Sequence, residues 1–128
     1  MPQRYIIYRS RAKMPADQTA MQALMDGAFR RNQYAGITGF IARDGEWFVQ
    51  YLEGRDAYLQ DTVIRIRRDR RHRDLTVLAE GPLMRRMMPD TPLMQVEPAR
   101  IAALMHHAHD GPVLRGDAPL DLARIAAA

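Results

Sequence analysis

Residues 37–53, ITGFIARDGEWFVQYLE, contain the pattern that decides the fold. Two short segments rich in β-branched and aromatic residues, 37–43 and 46–53, flank the dipeptide Asp44-Gly45. Such a dipeptide is a strong hairpin signal, because both central positions of a tight two-residue turn need positive φ. The sequence therefore predicts an antiparallel pair of strands joined by this dipeptide.

Outside the hairpin, alternation and helical periodicity predict three more strands and two helices. The strands are expected at 4–10, 74–80 and 93–96, and the helices at 17–31 and 56–68. We expect the first helix to end near Asn32 and Gly54 to break the second strand of the hairpin. Pro89 and Pro92 restrict the last strand to an edge or to a late start, since proline cannot donate a ladder hydrogen bond.

The predicted order is β-α-β, β-α-β and then β, which indicates an α+β protein with a ferredoxin-like βαββαββ sheet. Both helices are expected on one face of that sheet. Segments 98–107 and 117–127 predict two more helices, joined by a linker. We therefore expect one folded domain over 1–96 and a C-terminal helical extension over 97–128.

The composition is that of a globular protein, with 47% hydrophobic and 27% charged residues among 128. The lack of cysteine excludes disulfides, thiolate catalysis and cysteine-based metal sites. No apolar run is long enough to cross a bilayer, and no basic start precedes an apolar stretch. The expected location is therefore the cytoplasm, without membrane contact.

The net charge of +4 is carried mainly by arginine, most densely over 65–73. A basic stretch of this kind can bind nucleic acid. Here Asp69 and Asp74 interrupt it, and no aromatic residues are spaced for base stacking. A solvated helix face followed by a turn is therefore the favoured interpretation, and nucleic acid is not an expected partner.

A histidine-rich segment near the C-terminus is a second polar cluster to consider. It contains His106, His107, His109 and Asp110. At a predicted helix end, such a cluster is more often solvated than metal-bound, so no metal is expected.

Gln50 is the residue that an ordinary structural role explains least well. It lies in mid-strand between Phe48 and Leu52, which share its face, so its amide is predicted to point into an apolar space. A buried amide without partners costs about 1–3 kcal/mol. Tyr8 on the first strand and Asn32 on the first helix can reach the same gap. Each alone has a structural explanation, but together they surround one apolar cleft with two amides and a phenol.

Four motifs in this chain resemble those of BLUF domains, the sensors of blue light using FAD. They are IIYRS at 6–10, RRNQYAGITGF at 30–40, WFVQYLEG at 47–54 and RIRRDRRH at 65–72. The resemblance covers residues 3–96, and the set is specific because the order and spacing match together. It implies a short, stand-alone photoreceptor without enzymatic activity that binds FAD non-covalently, although the sequence does not separate FAD from FMN.

The resemblance also implies which residues hold the flavin. The ring would lie between the two helices, with Asn32 at its polar edge and Gln50 bridging Tyr8 and the ring. The residues that match other positions near the flavin are Ile37, which would line the ring, and Arg65, Arg71 and His72. Light would drive electron and proton transfer from Tyr8, followed by rearrangement of the Gln50 hydrogen bonds.

The fifth predicted strand departs from the family pattern. Many BLUF domains carry a tryptophan shortly before a methionine there, whereas the stretch MMPDTPLMQV at 87–96 contains no tryptophan. Met94 takes the signal-relay position if the alignment has one inserted residue, and Leu93 takes it otherwise. The route by which a signal leaves Gln50 therefore stays open.

The remaining expectations concern partners. Since 97–128 is predicted to supply only helices, we expect these to cover the free face of the sheet, to mediate homo-oligomer formation, or both. The signal would then pass to a separate protein partner. Two alternatives stay open: a flavin-binding module that is not photoactive, and a ferredoxin-like regulatory or nucleic-acid-binding domain without flavin.

Overall fold

The fold is described by a computed structural model that covers residues 2–86 and 90–99. The elements follow one another as β1 (Gln3–Ala12), α1 (Gln18–Ala35), β2 (Thr38–Asp44), β3 (Trp47–Arg55), α2 (Asp56–Arg67), β4 (His72–Leu83) and β5 (Met94–Gln95). This order matches the predicted βαββαββ arrangement.

The five strands form one mixed sheet in the order β4-β1-β3-β2-β5. The β1–β3, β1–β4 and β2–β3 pairs are antiparallel, and the short β2–β5 pair is parallel. Strand β3 therefore lies between β1 and β2, as in the split βαβ unit of ferredoxin-like folds. The predicted α+β fold is confirmed.

Period-two alternation divides the sheet into two faces. Both helices pack on one face, which we call the helix face. Its apolar residues form two clusters, centred on Ile6, Tyr8, Ile37, Leu52 and Leu59 and on Met21, Ile41, Phe48 and Leu93. The reverse face carries a buried aromatic and aliphatic cluster formed by Tyr5, Ile7, Phe40, Ala42, Val49 and Tyr51. Neighbouring residues of β3 therefore pack into apolar clusters on opposite faces of the sheet.

The hairpin turn lies one residue later than predicted. Asp44 pairs with Trp47, so the two loop residues are Gly45 and Glu46 rather than Asp44 and Gly45. Only Gly45 has positive φ, at 59°. This is the pattern of a type II′ turn, which favours glycine at its first central position and has negative φ at the second, so Glu46 fits there without strain.

Helix α1 continues past Asn32, where the sequence predicted its end. Its first turn is capped by Asp17, whose carboxylate accepts from the Ala20 N–H at 2.8 Å. Its last residue is Ala35, and Gly36 in the left-handed conformation bonds back to the Asn32 and Gln33 carbonyls. Asn32 is therefore held in the last turn of a helix instead of at a frayed end.

Three strand boundaries also differ from those predicted. Gly54 lies inside β3 and pairs with Arg4 of β1, and its missing Cβ leaves room for Ile37 Cδ1. Strand β4 extends from His72 to Leu83, since pairing with β1 stabilises polar ends that the apolar pattern did not mark. Strand β5 is limited to two residues.

The predicted C-terminal extension falls almost entirely outside the described residues. Only Pro98 and Ala99 are described as helical, so the segments 98–107 and 117–127 and the histidine cluster stay predictions. Within residues 2–86 and 90–99, no helix has the length and apolar character needed to span a membrane.

Gly39 supplies a test of this packing. A Cβ at Gly39 would overlap the backbone carbonyl of Tyr51 on the neighbouring strand, which cannot move aside as a side chain can. We expect Gly39→Ala to lower the free energy of unfolding by about 1–3 kcal/mol. Urea unfolding of the purified protein measures this change.

The matched control for Gly39→Ala is Gly27→Ala in α1. There the new Cβ meets only the flexible end of Arg31, at 3.1 Å, and alanine favours a helix by about 0.5–1 kcal/mol. Gly27→Ala is therefore expected to be neutral or stabilising. Equal destabilisation by the two substitutions would contradict the proposed close strand contact.

Candidate functional site

A cleft between α1, α2 and the helix face of the sheet gathers most of the predicted site residues. Its apolar walls are formed by Leu24, Ala28, Ile41, Phe48 and Ile66. Its polar lining consists of Tyr8, Ser10, Arg31, Asn32, Gln50, Thr62, Arg65, Asp69, Arg71 and His72. Every element from β1 to the start of β4 contributes to this lining.

Tyr8 and Gln50 form a buried pair at the floor of the cleft. They lie directly opposite each other in the β1–β3 register, so both side chains stand on the helix face. The Tyr8 hydroxyl donates a hydrogen bond to Gln50 Oε1. Burial raises the pKa of the Tyr8 phenol well above its ordinary value, and the negative charge of Asp69 adds to that shift. The phenol is therefore neutral and acts as a donor.

The other end of the Gln50 amide has no such partner. Within residues 2–86 and 90–99, no protein group accepts a hydrogen bond from Gln50 Nε2. The side chain is only 4% exposed. A buried amide normally uses both its donor and its acceptor, so this arrangement fits a site that offers a hydrogen-bond donor to a bound acceptor.

Asn32 reaches the cleft from the last turn of α1. Its Nδ2 donates to the Pro92 carbonyl at 2.9 Å, which ties α1 to the residues just before β5. The side chain is buried, and its amide lies near the same apolar walls as Gln50. Two carboxamides therefore line one slot.

The cleft is lined on its α2 side by positive charge. Arg71 forms a two-point ion pair with Asp69, with Nη2 to Oδ2 at 2.6 Å and Nε to Oδ1 at 3.0 Å. These hydrogen bonds hold the pKa of the Asp69 carboxyl below its ordinary value. Burial lowers the pKa of the Arg31 guanidinium, and repulsion from Arg65 and Arg71 lowers it further. The cleft is thus lined by three guanidinium groups and one carboxylate, and of the three only Arg71 is paired with it, which favours an anionic ligand group at this rim.

His72 connects the floor of the cleft to the end of α2. Its Nε2 contacts the Ile66 carbonyl, and its Nδ1 lies 2.6 Å from Ser10 Oγ. Since a carbonyl only accepts, Nε2 donates to Ile66, and Nδ1 shares a hydrogen bond with the Ser10 hydroxyl. His72 is therefore fixed at both ring nitrogens.

The structure brings together most of the predicted site residues, but not all. Those that line the cleft are Tyr8, Asn32, Gln50, Arg65, Arg71 and His72. Ile37 does not line it. Its side chain is fully buried among Ile6, Leu52 and Leu59, because Gly54 leaves space there for its Cδ1.

The two candidates for the relay position lie on opposite faces of the sheet. Met94 pairs with Phe40 and packs against the reverse-face cluster. Leu93 is buried on the helix face beside Ile41 and Phe48, which line the cleft. The Met94 side chain, for which the sequence predicted the relay role, therefore lies on the face of the sheet opposite Gln50. Leu93 lies on the same face as Gln50.

Several lining residues were missed in the sequence, and Arg31 is the most important. A signal was present, because Arg31 follows Leu24 by seven residues and precedes Asn32, so it lies on the same side of the helix. Ser10 and Asp69 carried no such signal, since their roles depend on contacts with His72 and Arg71.

The lining suits a planar aromatic ligand that has a polar edge and an anionic tail. Apolar side chains form the walls, two amides supply the edge, and arginines line the rim. The free volume between the helices is about 60 Å³. Ligand pockets commonly measure roughly 300–1,000 Å³, so the free volume of the cleft is small for such a ligand.

The model of the family described as BLUF, sensors of blue-light using FAD, matches residues 4–94 of this chain. Among curated proteins, photoactivated adenylate cyclase subunit beta of Euglena gracilis is 37% identical over 84 residues, which are 66% of this chain and 10% of that protein. The chain thus spans about a tenth of the length of the curated relatives it matches.

Solved structures of BLUF proteins are also similar to this fold. The dark-state structure of BlrB, a BLUF protein, superimposes with a TM-score of 0.70 and 30% identity, covering 83% of this chain and 80% of that one. The structure of Klebsiella pneumoniae BlrP1 with FMN and cyclic diGMP has a TM-score of 0.70 and 26% identity, covering 81% of this chain and 30% of that one.

The Asp69–Arg71 ion pair gives a pH prediction. Because the folded pKa of Asp69 lies below the unfolded value of about 3.9, its stabilisation is present above that pH and is lost as pH falls through the folded pKa. We expect Asp69→Asn to destabilise the protein at pH 7 and to differ less from the wild type near pH 3. Urea unfolding across this range measures the difference.

The control for Asp69→Asn is Asp26→Asn, which removes an exposed aspartate of α1 that forms no salt bridge within the described part of the chain. We expect Asp26→Asn to change the free energy of unfolding less than Asp69→Asn does at pH 7. We also expect its difference from the wild type to be similar at pH 7 and near pH 3. An Asp69→Asn effect of the same size at pH 3 and pH 7 would contradict the stabilising role of the ion pair.

Proposed function

The chain belongs to the BLUF family, the sensors of blue light using FAD, and from that premise we propose that Tyr8 and Gln50 form its light-driven switch. The observation that carries this proposal is the buried hydrogen bond from the Tyr8 hydroxyl to Gln50 Oε1 on the floor of the cleft. The neighbouring Asn32 amide and the arginine rim support it, because together they suit the ring and the phosphate end of a flavin.

In this proposal, each group of the cleft has a distinct task. Gln50 Nε2 and the Asn32 amide hold the polar edge of the ring, while Ile41 and Phe48 support its face. Arg31 and Arg65 neutralise the phosphate end. A bound flavin supplies the light absorption and, when excited, an oxidant strong enough to take an electron from a nearby phenol.

Tyr8 is the phenol suited to that task. Its pKa is raised by burial and by Asp69, so it is protonated at neutral pH and has a proton to release with the electron. Gln50 Oε1 is the acceptor along that hydrogen bond. The electron would pass to the flavin and the phenolic proton to Gln50 Oε1, while Gln50 Nε2 would release a proton toward the ring, so that neither Tyr8 nor Gln50 keeps a net charge in the buried cleft.

Gln50 is the element that changes state. A carboxamide has an acceptor end and a donor end, and in the structure Tyr8 uses the acceptor end. If the amide rotates by half a turn or tautomerises, the donor and acceptor that it presents to Tyr8 and to the cleft exchange. This change needs no covalent bond to the cofactor.

The finer assignments are part of the proposal. We take FAD as the cofactor, because the family description names it, while one similar structure was solved with FMN. The BLUF domain is a light sensor rather than a catalyst. We propose that this chain has no enzymatic activity, acts in the cytoplasm and signals through self-association or a separate protein partner.

The curated relatives give an indication of the kind of output. Their names describe photoactivated adenylate cyclase subunits, and their length leaves room for a fused effector. For this chain we propose that light likewise controls an effector, and that this effector is part of another protein. The alternatives of a flavin-free regulatory domain or a nucleic-acid binder are not favoured, since the family match covers the whole cleft.

An absorption spectrum of the purified protein tests the proposed function. We expect bound flavin and, after blue light, a small reversible red shift of its band as the Gln50 hydrogen bonds change. A static flavin binder would show the band without the shift. A colourless protein would remove the flavin from the proposal altogether.

Two substitutions test the switch itself. Gln50→Ala and Tyr8→Phe are expected to retain flavin and to lose the light-induced shift, because each removes one side of the donor–acceptor pair. The controls are Gln60→Ala and Tyr58→Phe, which change an exposed amide and a half-exposed phenol of α2. A normal shift in either switch variant would exclude that residue from the mechanism.

The two faces of the sheet give a prediction for the signal route. The Asn32–Pro92 hydrogen bond leads directly to Leu93, whereas Met94 faces the reverse cluster. We expect Leu93→Ala to change the dark-recovery rate more than Met94→Ala does. Time-resolved absorption after a light pulse measures both rates, and a larger effect from Met94 would reverse the assignment.

A further inference from the structure

We propose that a surface groove next to the cleft, here called the tyrosine groove, binds the adenosine half of FAD. Two exposed tyrosines, Tyr34 and Tyr58, form its aromatic surfaces. This inference rests on the proposed flavin binding, and it deepens that proposal by naming what would let this chain prefer FAD to FMN or riboflavin.

The tyrosine groove continues from the cleft. It has a volume of about 780 Å³ and lies between the end of α1 and the first half of α2. Thr62 and Arg65 line both the cleft and the groove, so the two share a wall. The cleft and the groove are therefore adjacent, and a ligand that occupies both would pass beside Thr62 and Arg65.

The aromatic residues of the groove are unusually accessible. Tyr34 is 97% exposed in the last turn of α1, and Tyr58 is 50% exposed in the first turns of α2. Exposed single aromatics are ordinary, but here two line one groove beside an arginine. Such side chains provide faces on which a purine base can stack.

The positive charges between the cleft and the groove suit the two phosphates that lie between the flavin ring and the adenine base of FAD. Arg65 lies where the cleft meets the groove, and Arg31 lies beside it on the cleft side. Within the described residues, neither of them forms a salt bridge with an acid. Two such guanidinium groups suit the two phosphates that join the flavin and adenosine halves of FAD.

A flavin series on the full-length apoprotein tests this assignment. The dissociation constants of FAD, FMN and riboflavin are measured by fluorescence titration for the wild type, Tyr34→Ala, Tyr58→Ala and the double variant. We expect the wild type to prefer FAD to FMN. Removal of a stacking face should weaken FAD binding by about 5-fold or more and leave FMN and riboflavin within about 2-fold.

Two further variants separate stacking from structural damage. Tyr34→Phe keeps the aromatic face and is expected to retain wild-type FAD affinity. Phe29→Ala removes a partly exposed aromatic residue from the same helix but outside both cavities, and it should change none of the three constants. Equal weakening of all three flavins in the tyrosine variants would overturn the adenosine site, as would no weakening of FAD.

A free adenine nucleotide would present the same base and phosphate to the tyrosine groove as the adenosine half of FAD does. Titration of adenosine 5′-monophosphate into the FAD-loaded protein distinguishes the two sources. No binding is expected, because the adenosine of FAD fills the groove. Binding that Tyr34→Ala abolishes would assign the groove to a separate nucleotide and overturn the proposal. If the wild type binds no flavin, the proposed function itself fails, which is a different result from equal affinity for all three flavins.

Discussion

The hydrogen bond between the Tyr8 phenol and the Gln50 carboxamide is the interaction on which the remaining structure depends. Both groups are buried, and an unpaired one would cost about 1–3 kcal/mol. They meet only because β1 and β3 pair with these two residues opposite each other. A slip of one residue would turn Gln50 to the reverse face. The strand register is thus as much a requirement of the site as the two side chains are.

Two features of the sheet position β3 between its neighbours, the hairpin with β2 and the ring stack that also reaches β1. On the hairpin side, Gly45 takes the positive φ that closes the turn, and Gly39 permits close contact with the neighbouring backbone. On the reverse face, Tyr51 stacks with Phe40 at 5.0 Å and with Tyr5 at 6.1 Å between ring centroids. These rings come from three adjacent strands. The reverse face therefore fixes the sheet, while the helix face is left to form a cleft.

Sequence periodicity predicted the features of the fold that follow from the local alternation of apolar and polar residues. The order of elements, the two faces of β3 and the approach of Tyr8 to Gln50 all follow from alternation. The positions that the pattern does not determine are those decided by distant contacts. Ile37 packs in the helix-face cluster with Tyr8 and Leu52 without lining the cleft, and Leu93 reaches the helix face while Met94 packs against the reverse face. Neither contact can be inferred from spacing, because the partners are remote in the chain.

The unequal restraint of the polar groups explains why Gln50, among all of them, suits a switch. His72 is hydrogen-bonded at both ring nitrogens, and Arg71 donates hydrogen bonds to both carboxylate oxygens of Asp69. Gln50 is held only at Oε1 by a residue of the described chain. Its rotation therefore disturbs one hydrogen bond, a net cost of about 0.5–1.5 kcal/mol, whereas a turn of His72 would break two. Asn32 is likewise bonded at one end, through Nδ2 to Pro92, but of the two carboxamides only Gln50 is bonded to the Tyr8 phenol, which is why we propose Gln50 as the group that exchanges partners.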